Sequence, residues 1–256
     1  MRNRLILIAA AGFLCIGWSP KTEIAVSRRG ALLGPPDLAR QIRKHSEAFS
    51  AGLSLPVQGE GTSALRPELA EHRAQEIADA IVRKIHDHFP FEEIVRDLGS
   101  LAHFAIVAGD PILSSRDSRV VTYSRDYNGY AEKLYERLPR VYYGIHPASL
   151  RGEGTSQVFR SARSRAQELA PFIGEEYYRT GVLRRSESFD DLAVTFGVAS
   201  IALSHSASDI ASLYTAIWRR ANGDIRPLQV AASSDTWRVV NSFAARSANS
   251  GSIEKR

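Results

Sequence analysis

Three features of this sequence predict a helical fold. Apolar residues recur at helical spacing in segment after segment, most clearly across 67–88, 91–109 and 123–138. Prolines at 35, 36, 67, 90, 111 and 139 fall between those segments, where helices start or stop. Residues 187–221 are the most apolar long run after the first residues. Their small residues Gly197, Ala199, Ser200, Ala202, Ser206 and Ala207 let neighbouring helices approach closely, so this run is the expected core helix. With 256 residues, 44% of them hydrophobic and 24% charged, the chain can fill one sizeable core, and one main domain is expected.

The chain opens with MRNR and then the apolar run LILIAAAGFLCIG, a basic start followed by a stretch too short to span a membrane. This predicts a secretory signal over residues 1–17, a helical domain over 18–222 and a loosely ordered tail over 223–256, in which Trp237 and 239–243 could dock. The destination is export, periplasmic or extracellular. Cys15 is the only cysteine and lies inside the apolar run, so the exported chain would carry no thiol, disulfide or cysteine metal site. Leu14, where a lipoprotein needs a small residue, argues against a lipid anchor. The formal charge is +5, and losing Arg2 and Arg4 with the leader lowers it by two. Arginines and acids are interspersed, so charge gives no support to specific nucleic-acid binding.

The elements follow in order. A first helix ends at Gly34, and a second begins after Pro35 and Pro36 with Asp37 as cap. It runs to about Ala51, with Leu38, Ile42, His45 and Phe49 on one face. Residues 52–67, GLSLPVQGEGTSALRP, read as a long loop. Residues 67–88 form an amphipathic helix with Leu69, Ile77, Ile81 and Ile85 inward and His72, His86 and His88 on the polar side. The next helix carries Ile94, Leu98, Leu101, Ala102 and Ala105 on one face and stops at Pro111. Tyr123, Tyr127, Tyr130, Leu134 and Leu138 continue a helical face up to Pro139, and His146 is a loop residue. A helix from about Thr155 to Arg179 is kinked or interrupted at Pro171. Its Arg160, Arg163 and Arg165 are a solvated face or a phosphate contact. His205 and Asp209 are four apart, which suits a local hydrogen bond or a pair of metal ligands.

His103 lies near the centre of the buried stripe of the 91–109 helix, as a hydrogen-bonded core residue or a metal ligand. The run LGSLAHF with Pro111 eight residues after the histidine resembles the central motif of the zinc-dependent phospholipase C family, which shares its fold with fungal single-strand nucleases. That motif reads Leu-Gly-x-x-x-His-x-x-x-Asp-x-x-x-Pro-x-His. The resemblance implies an all-α, multi-helix bundle with a buried C-terminal helix and, in active members, phosphodiester hydrolysis at a trinuclear zinc site. It also implies that a chain cut after Gly17 presents the Trp18 amino group and carbonyl to a metal, with Glu23 where the family places a histidine.

The departures are specific. Val107 stands at the motif aspartate and Leu113 at its second histidine. In the family's His-x-x-Tyr-Glu, Tyr130 is kept while Tyr127 and Ala131 replace the two ligands, and no aspartate lies near Pro56. The metal candidates left are Trp18, Glu23, His103 and Asp110, the last two helical turns beyond His103 and able to share a single ion with it. The expectation is therefore an exported phospholipase C-like protein that has lost its metal site, has no catalytic residues and no cofactor, and acts by binding a phospholipid or phosphate-containing small molecule. The alternative is an active phosphodiester hydrolase, phospholipase or nuclease, with a reduced zinc site. A third reading makes the motifs coincidental on some other exported helical domain.

Overall fold

The computed structural model describes residues 17–181, 186, 189–225 and 237–239. The expected leader, Gly17 apart, and most of the expected tail lie outside these residues.

At the centre is α5 (Phe91–Gly109), which starts behind Pro90 with Glu92 and Glu93 in its positive first turn. From Leu98 to Gly109 every residue is buried, the signature of a helix enclosed on all sides. Around it pack α3 (Ser46–Glu60), α4 (Pro67–His86), α9 (Thr155–Thr180) and α10 (Val194–Arg220). The small-residue helix α10 also lies against α1 (Pro20–Leu33), and Tyr214 reaches from it to donate its hydroxyl to the Leu98 carbonyl at 2.7 Å. The protein is all-α as expected, with one small addition. Strand β1 (Arg140–Tyr142) pairs in parallel with β2 (Trp237–Val239), so the docking expected of Trp237 takes the form of a strand.

The expected loop over 52–67 is a correction. α3 continues through Pro56 to Glu60, and a 3-10 turn, Gly61–Leu65, completes the connection to α4. A proline inside a helix removes the N–H that the carbonyl four residues earlier would accept. Here that carbonyl belongs to Gly52, and Ser100 of α5 supplies the missing donor through its hydroxyl at 2.9 Å. The expected 37–51 helix is in turn two: α2 (Pro36–Lys44) and α3 meet at His45, whose φ of −111° and ψ of 43° break the helical path. Asp37 does not cap α2 but pairs with Arg40.

α4 inverts part of its expected face. Ala70, Ala74, Ala78 and Ile81 are buried at helical spacing, while Leu69 is exposed. Alanines let α4 lie close to α5 and α9, and the larger Ile77 and Ile85 pack at the margin of the core. α6 (Ser118–Thr122) and α7 (Ser124–Leu134) carry the tyrosine face, with Tyr127 and Tyr130 buried and Tyr123 stacked on Tyr177 at 4.3 Å. α9 (Thr155–Thr180) is not interrupted at Pro171, which lies inside the helix. Its three arginines face acids: Arg160 with Glu71, Arg163 with Glu68 and Arg165 with Asp209. α10 begins at Val194 rather than 187, because Asp190 accepts the Leu192 N–H and holds the preceding residues in a turn.

A serine stripe on α10 fixes the irregular segment after α7. Ser204, Ser208 and Ser212 accept the backbone N–H groups of Val141, Tyr143 and His146 at 2.9, 3.0 and 2.9 Å, and Ser200 donates to the Pro139 carbonyl. Spacing of four keeps all of these hydroxyls on one face, so an extended chain lies along a helix as along a strand partner. His146 then caps α8 (Pro147–Leu150) by accepting the Ala148 N–H. A Ser204→Ala, Ser208→Ala double variant leaves two backbone donors without partners and loses about 2 kcal/mol in urea unfolding.

The expected His205–Asp209 pairing does not form. Asp209 takes Arg165 at 2.5 Å, and His205 instead stacks on Tyr143 with ring centres 3.9 Å apart. Burial and the nearby Arg165 push the His205 pKa down from 6.5 to about 4. A folded pKa below the unfolded one means the unfolded chain binds the proton first, so stability is full above pH 6.5 and drains away as pH falls towards 4. Relative to a His205→Phe chain, the native sequence loses about 2 kcal/mol between pH 7 and pH 4 in parallel urea titrations. Asp209, raised to about 6 by burial against the pull of Arg165, is common to both chains and cancels in the comparison.

Candidate functional site

The start of the described chain, the end of α5 and the first turns of α7 converge on one buried polar cluster. Ser19 opens α1, its hydroxyl accepting the Thr22 N–H at 3.2 Å. This puts Glu23 on the side of α1 that meets α5, where its Oε1 lies 2.6 Å from His103 Nδ1. His103 is 2% exposed. Its other ring nitrogen, Nε2, is buried without a hydrogen-bond partner.

Pro111 ends α5, and the side chain of Asp110 folds back over the turn that follows. Its Oδ1 accepts the N–H groups of Ile112 at 2.8 Å and Leu113 at 3.2 Å, while Oδ2 is buried without a partner. Burial pushes the Asp110 carboxyl up to about 7, against the pull of the Leu113, Ile112 and Trp18 backbone N–H groups, and the charge of Glu23 adds to the rise.

Trp18 stands over Tyr127, ring centres 5.5 Å apart, with both side chains buried. Burial first, and then the Asp110 charge, hold the Tyr127 phenol well above its usual range. Asn128 donates from Nδ2 to the Gly17 carbonyl at 2.5 Å. Trp18 Nε1, Tyr127 Oη and Asn128 Oδ1 have no hydrogen-bond partners.

All four sequence candidates, Trp18, Glu23, His103 and Asp110, thus lie in this one cluster. Glu23 and His103 bind each other, and Asp110 is bound to its own turn rather than shared with His103. Among the described residues, no three histidine, cysteine, aspartate or glutamate side chains come together as a metal-ligating group. Val107, Tyr127 and Ala131, at the motif's ligand positions, are buried in the core, and Leu113 is packed against its edge. Asn128 is the member that sequence reasoning missed. Its only signal was a short polar residue between two buried tyrosines.

A groove of about 1050 Å³ runs between the 114–123 segment and α9, with Arg116, Arg119, Tyr123 and Tyr178 among its lining. Asp117 is already bound to Arg119 there, through two contacts of 3.1 Å and one of 2.7 Å. Among the described residues no helix is long and apolar enough to cross a membrane.

Comparison with protein-family models, characterised proteins and solved structures gave no match, so the cluster is read from its own chemistry.

Proposed function

We propose that this chain is an exported helical protein on a phospholipase C-type scaffold, depleted of its metal site, and that it acts by binding rather than by hydrolysis. The observation that carries this reading is that Val107, Tyr127 and Ala131, at the motif's ligand positions, are buried in the apolar core, with Leu113 packed against it. One ring nitrogen of His103 is taken up by Glu23, and the positions that should complete a zinc shell around the other carry Val107, Leu113, Tyr127 and Ala131. A hydrocarbon offers no lone pair, and a neutral phenol is a weak donor. The residues present therefore do not fit a trinuclear zinc centre. The ligand class is a phosphate-bearing small molecule or phospholipid headgroup.

A second reading draws on the unpartnered His103 Nε2 and Asp110 Oδ2. These two atoms, with Glu23, are the donors from which a single-ion phosphodiester hydrolase would have to be built.

One experiment separates the two. Elemental analysis of the purified chain after exposure to zinc is expected to give less than about half an ion per chain, with no turnover of a chromogenic phosphodiester. Stoichiometric zinc with turnover that His103→Ala abolishes establishes the second reading instead.

A further inference from the structure

Of the polar atoms in the cluster, the carboxyl of Asp110 makes the strongest demand on its surroundings. It is fully buried, its Oδ2 has no partner, and the nearby charge of Glu23 is like-signed. Glu23 in turn is occupied by His103. Tyr127, from α7, faces the carboxyl as a neutral phenol. A buried carboxylate in such a place calls for a cation.

A Cβ on Gly17 would lie 3.7 Å from Oδ2. The peptide bond between Gly17 and Trp18 is therefore held against this carboxyl. Asn128 touches the same peptide bond from the other side, donating to the Gly17 carbonyl and leaving its own buried Oδ1 without a partner.

We infer that hydrolysis of the Gly17–Trp18 bond during export creates the missing cation, so that the new α-ammonium of Trp18 pairs with Asp110 Oδ2 and Asn128 Oδ1 and locks the mature fold. The inference rests on the export reading above. The step consumes one water. Gly17 leaves with the leader as a carboxylate, and the released nitrogen of Trp18 takes up protons to become an ammonium.

An amide offers the cluster one donor and no charge; an ammonium offers three donors and a full charge. Asn128 loses the Gly17 carbonyl in the exchange, but rotation of its amide turns Oδ1 towards the new donors. Before cleavage the carboxyl lacks its counter-charge, so the precursor is the less stable form. A less stable precursor suits a chain that has to stay unfolded until it is exported.

The test compares chains that differ only at this nitrogen. The first begins at Trp18 with a free amine, released from a cleavable fusion partner. The second is the same chain acetylated at Trp18, and the third keeps Ile16 and Gly17 in front of it. The free-amine chain is expected to melt about 5 °C above the other two, and Asp110→Asn is expected to erase that gap. Equal melting of the three chains overturns the ion pair whatever the chain's destination. If Asp110→Asn fails to fold, the acetylated chain still decides the question, because it removes the charge without touching the core. N-terminal sequencing of the exported protein checks the processing half separately. Trp18 as first residue supports it, while any other first residue overturns maturation at this site and leaves the melting comparison to judge the pair alone.

Discussion

Glu23→Ala is expected to destabilise the folded chain by about 3 kcal/mol, a loss of roughly 8 °C in melting temperature for a domain of this size. The bond it removes is short, at 2.6 Å, and His103 is almost wholly withdrawn from water. With Glu23 gone, Nδ1 joins Nε2 as a buried ring nitrogen without a partner, and the penalty is that of leaving Nδ1 desolvated and unpaired. The pair joins α1 to α5, so the loss is expected to surface first as faster exchange of the α1 amides. Glu23→Ala combined with His103→Leu should recover more than half of the lost stability, since an apolar pair leaves nothing unsatisfied. A metal-bridged pair predicts otherwise: a chelator would then lower the melting point of the native chain and leave that of Glu23→Ala unchanged.

The same pair shows how far residue patterns reach. Glu23 and His103 stood out through likeness to a ligand set, and the two are indeed neighbours. Their sequence positions carry no information on whether a third atom stands between them, so a direct bond and a bridged one read alike. Asp110 shows the opposite failure. Two helical turns from His103 it should share a side with it, but Pro111 ends the helix and turns the carboxyl onto the N–H groups of Ile112 and Leu113. Helices with a dense apolar period, α5 and α10, were legible because their burial is nearly complete. The inner face of α4 was not, since alanine is a weak hydrophobic signal and is chosen for closeness of approach rather than for area. The serine stripe of α10 escaped for a related reason. Its spacing of four is plain in the sequence, but its partners are backbone groups more than sixty residues away.

The second large effect is expected at the crossing of α3 and α5, at Gly99 and Gly52. A Cβ on Gly99 would run into the Phe49 carbonyl and lie 3.0 Å from the Gly52 Cα, and one on Gly52 would run into the Arg96 carbonyl. These obstacles are backbone atoms, which no rotamer change can move. Gly99→Ala therefore has to push the two helices apart along their whole contact, and is expected to cost about 3 kcal/mol or more in urea unfolding. Propensity works the other way, because alanine in place of a mid-helix glycine gains up to about 1 kcal/mol. A neutral or stabilising Gly99→Ala would show that the helices do not approach this closely. Ser100 tests the seam by another route. The Gly52 carbonyl, deprived of its helical donor by Pro56, depends on the Ser100 hydroxyl. Ser100→Ala adds no bulk, so a loss of about 1–2 kcal/mol comes from an unsatisfied carbonyl alone. Because the two residues sit on one crossing, the double variant should lose less than the sum: once the helices are forced apart, the hydroxyl no longer reaches Gly52.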